Sequence, residues 1–165
     1  MSDTLSQMIA AIDGRGQRID YAYDMAGRMV SKTPVGRPSS ETIAYSYDSG
    51  GLGSYQTGRL TQVTDATGIT RFGYDHRGNL TERLQVLGGS SVAGLAYAYD
   101  LADRIIIIGY PSGREVRSVR DTKGRVSTVE TRSSPASSWV SLAGAMTYQP
   151  FGAVETMSLG NGLAV

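Results

Sequence analysis

Aromatic and apolar side chains recur along the chain with a period of two, and each such stretch ends in a turn rich in Asp and Gly. Four aromatic pairs at positions i and i+2 show the pattern: Tyr21 and Tyr23, Tyr45 and Tyr47, Phe72 and Tyr74, and Tyr97 and Tyr99. A spacing of two places both rings of a pair on one face of a β-strand. β-rich runs such as Val126–Val129 follow the turns. The pattern therefore predicts successive β-hairpins.

The aspartates that end these stretches define an internal repeat. The anchors are Asp24, Asp48, Asp75, Asp100 and Asp121, at spacings of 24, 27, 25 and 21 residues. A sixth, divergent repeat is predicted at Tyr148–Gly152, where Pro-Phe-Gly replaces Asp-x-x-Gly. A period of this length is typical of architectures in which each repeat packs only against its neighbours. Residues 1–165 are therefore predicted to form a single repeat domain.

Each anchor is predicted to begin a turn. An aspartate at the first position of a type I turn accepts a hydrogen bond from the backbone two residues on, and a glycine takes the positive φ that follows. The predicted turn residues are Asp24, Gly27, Asp48, Gly51, Asp75, Gly78, Asp100, Asp121 and Gly124. In the fourth repeat Asp103 stands in the glycine position, which Asp tolerates better than most residues do.

A second set of turns separates the repeats, at Asp13–Gly16, Asp65–Gly68 and Pro111–Gly113, with longer forms at 34–38 and 88–91. Two turns and two strands per repeat predict a curved antiparallel sheet of consecutive hairpins, with ten to twelve strands.

Helix signals are few. The better one is Ser138–Met146, inside an irregular segment that begins near Ser133, and the weaker one is Leu5–Ala11. The predicted fold class is therefore all-β with minor helical content.

Composition narrows the range of functions. The 16 basic and 15 acidic residues are spread through the repeats, so no basic patch indicates nucleic-acid binding. The chain has no cysteine, which excludes disulfides and a thiol nucleophile. The longest aliphatic run, Ile105–Ile108, is too short to span a membrane. We expect that run to be covered on both faces of the sheet or paired across an interface. The first residues lack the pattern of a signal peptide, and the compartment stays unassigned.

Few residues are candidates for chemistry. The repeated aspartates have turn-capping spacing rather than the converging oxygens that calcium needs, so no metal and no cofactor are predicted. His76 is the only histidine and lies within a predicted turn without a partner that would make it a base. The sequence therefore predicts no enzyme. The tyrosine pairs are expected to pack on the sheet, and the candidates for a ligand surface are Tyr55, Tyr110 and Trp139.

The unit Tyr-x-Tyr-Asp-x-x-Gly-Arg, as in Tyr21–Arg28, resembles the YD repeat of the Rhs (rearrangement hotspot) family, as does the Tyr-x-Pro-Phe-Gly stretch at Tyr148–Gly152. The resemblance covers about 140 residues. It implies a β-strip that spirals into a hollow shell, which encloses a toxin domain or supports adhesion modules. Some members process themselves with aspartates in an Asp-Pro-x-Gly segment. Because this sequence has no Asp-Pro dipeptide, we expect it to lack the processing and toxin segments.

These observations favour a non-catalytic structural segment of an Rhs-type encapsulating, cell-surface or toxin-delivery protein. The alternative is a β-repeat module that binds carbohydrate or protein. The expected partners are other YD-repeat segments of the same or a larger chain, and a toxin domain or a glycan in addition. Open sheet edges predict self-association. A secreted or cell-surface location would fit such a larger protein.

Overall fold

The computed structural model describes residues 7–164, except for the side chains of residues 90–93. This part of the chain forms thirteen β-strands and one short 3-10 turn, Ser39–Glu41. The strands are β1 Ala10–Ile12, β2 Arg18–Tyr23, β3 Met29–Pro34, β4 Ile43–Tyr47, β5 Leu60–Asp65, β6 Gly68–Tyr74, β7 Leu80–Leu87, β8 Ser90–Tyr99, β9 Ile105–Gly109, β10 Glu115–Arg120, β11 Val126–Arg132, β12 Val140–Tyr148 and β13 Val154–Leu159.

Within each part of the chain described below, strand order equals chain order. The chain divides into two compact units, an N-terminal unit that ends at Val92 and a C-terminal unit that begins at Ala93. In the N-terminal unit β1 to β7 pair consecutively and antiparallel. In the C-terminal unit β8 to β13 do the same. The predicted all-β fold of antiparallel hairpins is confirmed, whereas the single repeat domain stays a prediction.

The predicted helix at Ser138–Met146 is wrong, because β12 occupies Val140–Tyr148. β12 pairs with β11 on one side and β13 on the other, so its backbone groups are satisfied by the sheet. Ala145 has a φ of 48°, and the pairing register shifts between Gly144 and Thr147. This bulge interrupts the period of two and hides the strand from a pattern search.

The weaker helix prediction, Leu5–Ala11, is wrong where it can be compared. Its first two residues lie outside the described part of the chain, and β1 begins at Ala10. Thirteen strands therefore replace the predicted ten to twelve.

Burial is shallow in both units. Apart from glycines, the buried residues in the described part of the chain are Ala10, Thr61 and Thr131. The tyrosines of the repeats are half-buried. Ile105 is 40% exposed and Ile106–Ile108 are half-buried, so the expectation that this run is covered on both faces is wrong within this chain. The strand is instead protected along its edges, because β9 pairs with β8 and β10.

Candidate functional site

The Asp-x-x-Gly-Arg turn of the first repeat is closed by one aspartate. Asp24 Oδ1 accepts hydrogen bonds from the backbone N–H groups of Ala26 and Arg28, both at 2.9 Å, and Asp24 Oδ2 accepts one from Arg28 Nε at 2.8 Å. Gly27 N donates to Asp24 O at 3.0 Å and has a φ of 76°, a value that favours glycine. The side chain thus fixes both the turn and the arginine that follows it.

Three further repeats build the same turn. Asp75, Asp100 and Asp121 each accept two backbone N–H groups through Oδ1, at 2.9–3.0 Å. Their Oδ2 atoms accept from the side chains of Asn79, Arg104 and Arg125, respectively. The left-handed position is held by Gly78, Gly124 and, in the fourth repeat, Asp103 with a φ of 58°.

The second repeat differs from its predicted turn. Asp48 has a φ of 68°, and its Oδ1 accepts from Gly58 N at 2.6 Å, so the turn closes at Gly58 rather than at Gly51. Gly51 has no positive φ; a Cβ there would come within 2.6 Å of Phe72 O. The intervening loop lies against β6, with Leu52 N bonded to Phe72 O at 2.9 Å. The prediction for Gly51 is therefore wrong, because close packing and not turn geometry requires glycine there.

The sixth repeat closes without an aspartate. Gln149 N donates to Ala153 O at 2.9 Å and Gly152 N to Gln149 O at 3.1 Å, which is the backbone pattern of the other turns. Ala153 stands where the other repeats carry arginine or asparagine. The Pro-Phe-Gly stretch thus forms a turn of the repeat type.

A tyrosine hydroxyl links one repeat to the one before it. The tyrosine that precedes a turn donates its hydroxyl hydrogen to the carbonyl of a residue 14–22 positions earlier. In three cases this residue is the first of the strand after the preceding turn. The bonds are Tyr23 to Met8 O (2.9 Å), Tyr47 to Met29 O (2.8 Å), Tyr74 to Leu60 O (2.7 Å) and Tyr148 to Val126 O (2.6 Å). A buried hydroxyl with a partner stabilises such a half-buried ring.

An arginine completes this link. Arg28 lies 4.4 Å from the ring centroid of Tyr47, Arg59 lies 5.6 Å from that of Tyr74, and Arg125 lies 4.5 Å from that of Tyr148. These distances allow cation–π attraction. We call the pair of contacts, the tyrosine hydroxyl bond and the arginine over its ring, a rung. Within each compact unit the rungs join consecutive repeats.

One rung of the C-terminal unit departs from this design. Arg120 occupies the tyrosine position of the fifth repeat. Its Nη1 donates to Gly124 O at 3.1 Å, and Arg104 Nη1 donates to the same carbonyl at 3.1 Å. Two guanidinium groups therefore meet where the other rungs have a guanidinium and a ring.

The turn aspartates are held in their charged form. The side chain of Arg104, and then its backbone N–H, lower the pKa of Asp100 to about 2. The backbone N–H of Arg28 lowers the pKa of Asp24, and the side chain of Arg28 lowers that of Asp48. In the same network, hydrogen bonds to Asp48 and Asp24 raise the pKa of Arg28.

The three residues predicted to form a ligand surface differ in how exposed they are and in what they contact. Tyr55 is 51% exposed and packs edge-on against His76, with ring centroids 6.0 Å apart, and Tyr110 is 41% exposed. Trp139 is half-buried, and the guanidinium carbons of Arg117 and Arg132 lie 4.3 and 4.5 Å from its ring centroid. The Trp139 ring is thus already engaged by this chain.

Other chemistry has little support in the described residues. Residues 7–164 contain no group of three or more His, Cys, Asp or Glu side chains placed to hold a metal ion. The same residues contain no helix that is both long and apolar enough to cross a membrane.

The sequence pattern missed the rungs themselves. It identified the tyrosines and the turns, but the partner of each hydroxyl is a backbone carbonyl in another hairpin. The recurring Gly-Arg after the turn, at Gly27-Arg28, Gly58-Arg59 and Gly124-Arg125, is the signal that would have found the arginines. It would also have located the closing turn of the second repeat.

Comparisons with known proteins agree with this geometry. The family model named RHS Repeat matches residues 56–91. No curated protein matches the chain in sequence. The structure titled "Crystal Structure of TcdB2-TccC3" is similar to this chain with a TM-score of 0.81 at 13% identity, over 99% of this chain and 9% of that one. The structure titled "Structure of Photorhabdus luminescens Tc holotoxin pore, Mutation TccC3-D651A" gives a TM-score of 0.79 at 11% identity, over 98% and 9%.

The chain therefore spans about 9% of the length of the solved chains that it resembles. At these identities the likeness shows the fold. The family match at residues 56–91 agrees with the resemblance seen in the YD units and places an RHS repeat in that part of the chain.

Proposed function

We propose that this chain is a non-catalytic structural segment of an Rhs-type protein that encapsulates or delivers a toxin or stands on a cell surface. The observation that supports it most is the rung. Each rung uses a tyrosine, an arginine and a backbone carbonyl to join two consecutive hairpins, as in Tyr47, Arg28 and Met29. The tyrosines and arginines that recur in the repeats take part in this linkage, and such repeated links between neighbouring hairpins suit a structural wall.

Shallow burial supports the same role. Side chains on both faces of the hairpins stay partly exposed, and Val140 and Leu142 of β12 are 63% and 44% exposed. A sheet of this kind gains stability from its neighbours along the strip rather than from a second layer. One solved structure with the same fold is titled as a Tc holotoxin pore. We infer that this chain's partners are further YD repeats and a toxin domain.

The outer edge of β13 offers a test. Gly160 N donates to Leu142 O on the β12 side, while Leu159 N donates to Leu163 O on the other side. Alternation along the strand then directs Met157 N–H away from β12. Beyond the bridge between Ser158 and Ala164, this edge can pair with another YD strand.

We expect the purified chain to self-associate as its concentration rises, measured by light scattering after size exclusion. Met157→Pro removes the outward N–H and should abolish association, because proline is accepted at an edge but cannot donate. Met157→Thr keeps the N–H and is the matched control. A wild-type chain that stays monomeric at all concentrations would contradict the open-edge wall segment.

A binding module is the second candidate, supported by the exposure of Tyr55 and Tyr110. A glycan or a protein that uses these rings should lose affinity on Tyr55→Ala or Tyr110→Ala and retain it on Trp139→Phe, since Trp139 is occupied by two arginines. Screening on a glycan array, followed by titration of the variants, separates this function from the structural one. Binding that survives both tyrosine variants would exclude this surface.

A further inference from the structure

Among the rungs described, the one at Arg120 is the only one with a charged residue at the tyrosine position. In the other rungs the same position holds a tyrosine, whose hydroxyl is neutral and bonds to one carbonyl. Arg120 is half-buried and bonds through Nη1 to Gly124 O at 3.1 Å. A guanidinium has five N–H donors in a planar fork, and this bond engages only one of its three nitrogens.

The carboxylates nearest in the repeat are already engaged. Asp100 accepts two donors of Arg104, and Asp121 accepts the backbone and side chain of Arg125. Arg120 forms no ion pair with any of the described residues. Its Nε is shielded from solvent and has no hydrogen-bond partner among those residues. A half-buried cation without a counter-charge is costly, and a partner that supplies one lowers that cost.

A second arginine, Arg104, strengthens the need for an anionic partner at this position. Arg104 donates to the same carbonyl as Arg120, so two cations approach one acceptor. Gly124 cannot be replaced by a larger residue without displacing Arg104, since a Cβ there would collide with Arg104 Nη1. The glycine thus leaves room for the Arg104 guanidinium beside the carbonyl that Arg120 also uses.

We propose that Arg120 binds the carboxylate of an acidic protein segment that docks on the turn of the fifth repeat. Two other arginines of the C-terminal unit are paired with carboxylates: Arg117 with Glu130, and Arg132 with Glu115. A planar carboxylate matches the guanidinium fork with two hydrogen bonds, which makes such a pair selective as well as strong. This interaction does not depend on whether the chain is part of a shell wall.

The test follows the Nε–H resonance of Arg120 and the amide of Gly124 in nitrogen-15 spectra while a capped hexaglutamate peptide is added at low salt. We expect a saturable shift of both signals. Arg120→Tyr restores the residue found in the other rungs, so it should remain folded, and we expect it to weaken binding at least tenfold, roughly 1.4 kcal/mol. Arg120→Lys keeps the charge but not the fork, and should bind with intermediate affinity.

Lys123→Gln is the matched control, because it removes an exposed cation of the same turn. Binding that falls as much in Lys123→Gln as in Arg120→Tyr would reduce the effect to general electrostatic attraction and overturn the proposal. Unchanged binding in Arg120→Tyr would overturn it as well. A parallel titration with inorganic phosphate distinguishes the ligand: shifts with phosphate but not with the peptide would reject an acidic protein segment as the occupant.

Discussion

The rung between the first two repeats and the rung between the fourth and fifth both follow an aspartate-capped turn that ends in an arginine. They differ in charge, because carboxylates are in excess at the first and guanidinium groups at the second. At the first, Arg28 bonds to Asp24 and Asp48 and covers the ring of Tyr47, whose hydroxyl reaches Met29 O. At the other, Arg104 is paired with Asp100 but meets Arg120 in place of a ring. At the first rung two carboxylates surround one guanidinium. At the second, Asp100 pairs with Arg104, and Arg120 has no carboxylate partner among the described residues.

The difference shows which part of the repeat does which work. The aspartate closes the turn in both places with the same bonds, so the hairpin forms whatever follows. The tyrosine, by contrast, acts between hairpins. Its replacement by Arg120 leaves the fold of the fifth repeat intact and changes only the junction. Local turns and inter-repeat links are therefore separable, and substitutions can address each of them.

The largest effect is expected for Tyr47→Ala. It removes a half-buried ring, the bond to Met29 O and the contact with Arg28, and should lower the free energy of unfolding by about 3 kcal/mol. Tyr47→Phe removes only the hydroxyl and should cost about 1 kcal/mol. Urea unfolding followed by circular dichroism measures both. If Arg120→Ala lowers stability as much as Tyr47→Ala does, the two rungs do not differ as described.

Gly124→Ala is expected to rank second. It forces a residue with a side chain to a φ of 82° and drives the new Cβ into Arg104, for a loss of about 2 kcal/mol. Gly113→Ala is the matched control: it has the same φ of 82°, but its nearest neighbour, Ser133 O, is 3.8 Å away. Gly113→Ala should therefore cost about 1 kcal/mol. In an Arg104→Ala background the difference between the two should vanish; its persistence there would point to another cause.

Arg120→Tyr should act in the opposite direction. A tyrosine there can donate to Ile105 O, which corresponds to Met29, Leu60 and Val126 in the other rungs, and can lie beneath Arg104. We expect a gain of about 1 kcal/mol in unfolding free energy. Thermal unfolding compares this variant with Arg120→Phe, which lacks the hydroxyl and should gain less. A destabilised Arg120→Tyr would mean that the fifth junction is built around arginine.

The smallest effect concerns pH. Because the pKa of Asp100 is depressed to about 2, its contribution is complete above the unfolded value near 4 and is lost as the pH falls through about 2. Unfolding in urea at pH 7 and at pH 3 should show a smaller pH dependence in Asp100→Asn than in the wild-type chain. Glu155→Gln, an exposed change with no such network, serves as the control. Identical pH profiles in all three proteins would contradict this assignment.

The sequence by itself determined the turns and most strands, because these depend on neighbouring residues. Asp24 and Asp121 cap turns within four positions of themselves, and Asp103 adopts the positive φ that its place in the repeat requires. The paired aromatics marked the strands for the same reason. Where a bulge disturbs the period of two, as at Ala145 in β12, the local pattern favoured a helix and failed.

Only the tertiary structure decided what lies between hairpins. The carbonyl that receives Tyr47 is 18 residues away, and the reason for glycine at Gly51 is Phe72 of another strand. The same holds for Trp139, which the sequence offered as a ligand surface and the fold places against Arg117 and Arg132. Such contacts depend on strand register across hairpins, which no short stretch of sequence contains. A repeat can thus be recognised from its turns. The contacts that stabilise it, and the positions where such a contact is missing, are set by the packing of one hairpin on the next.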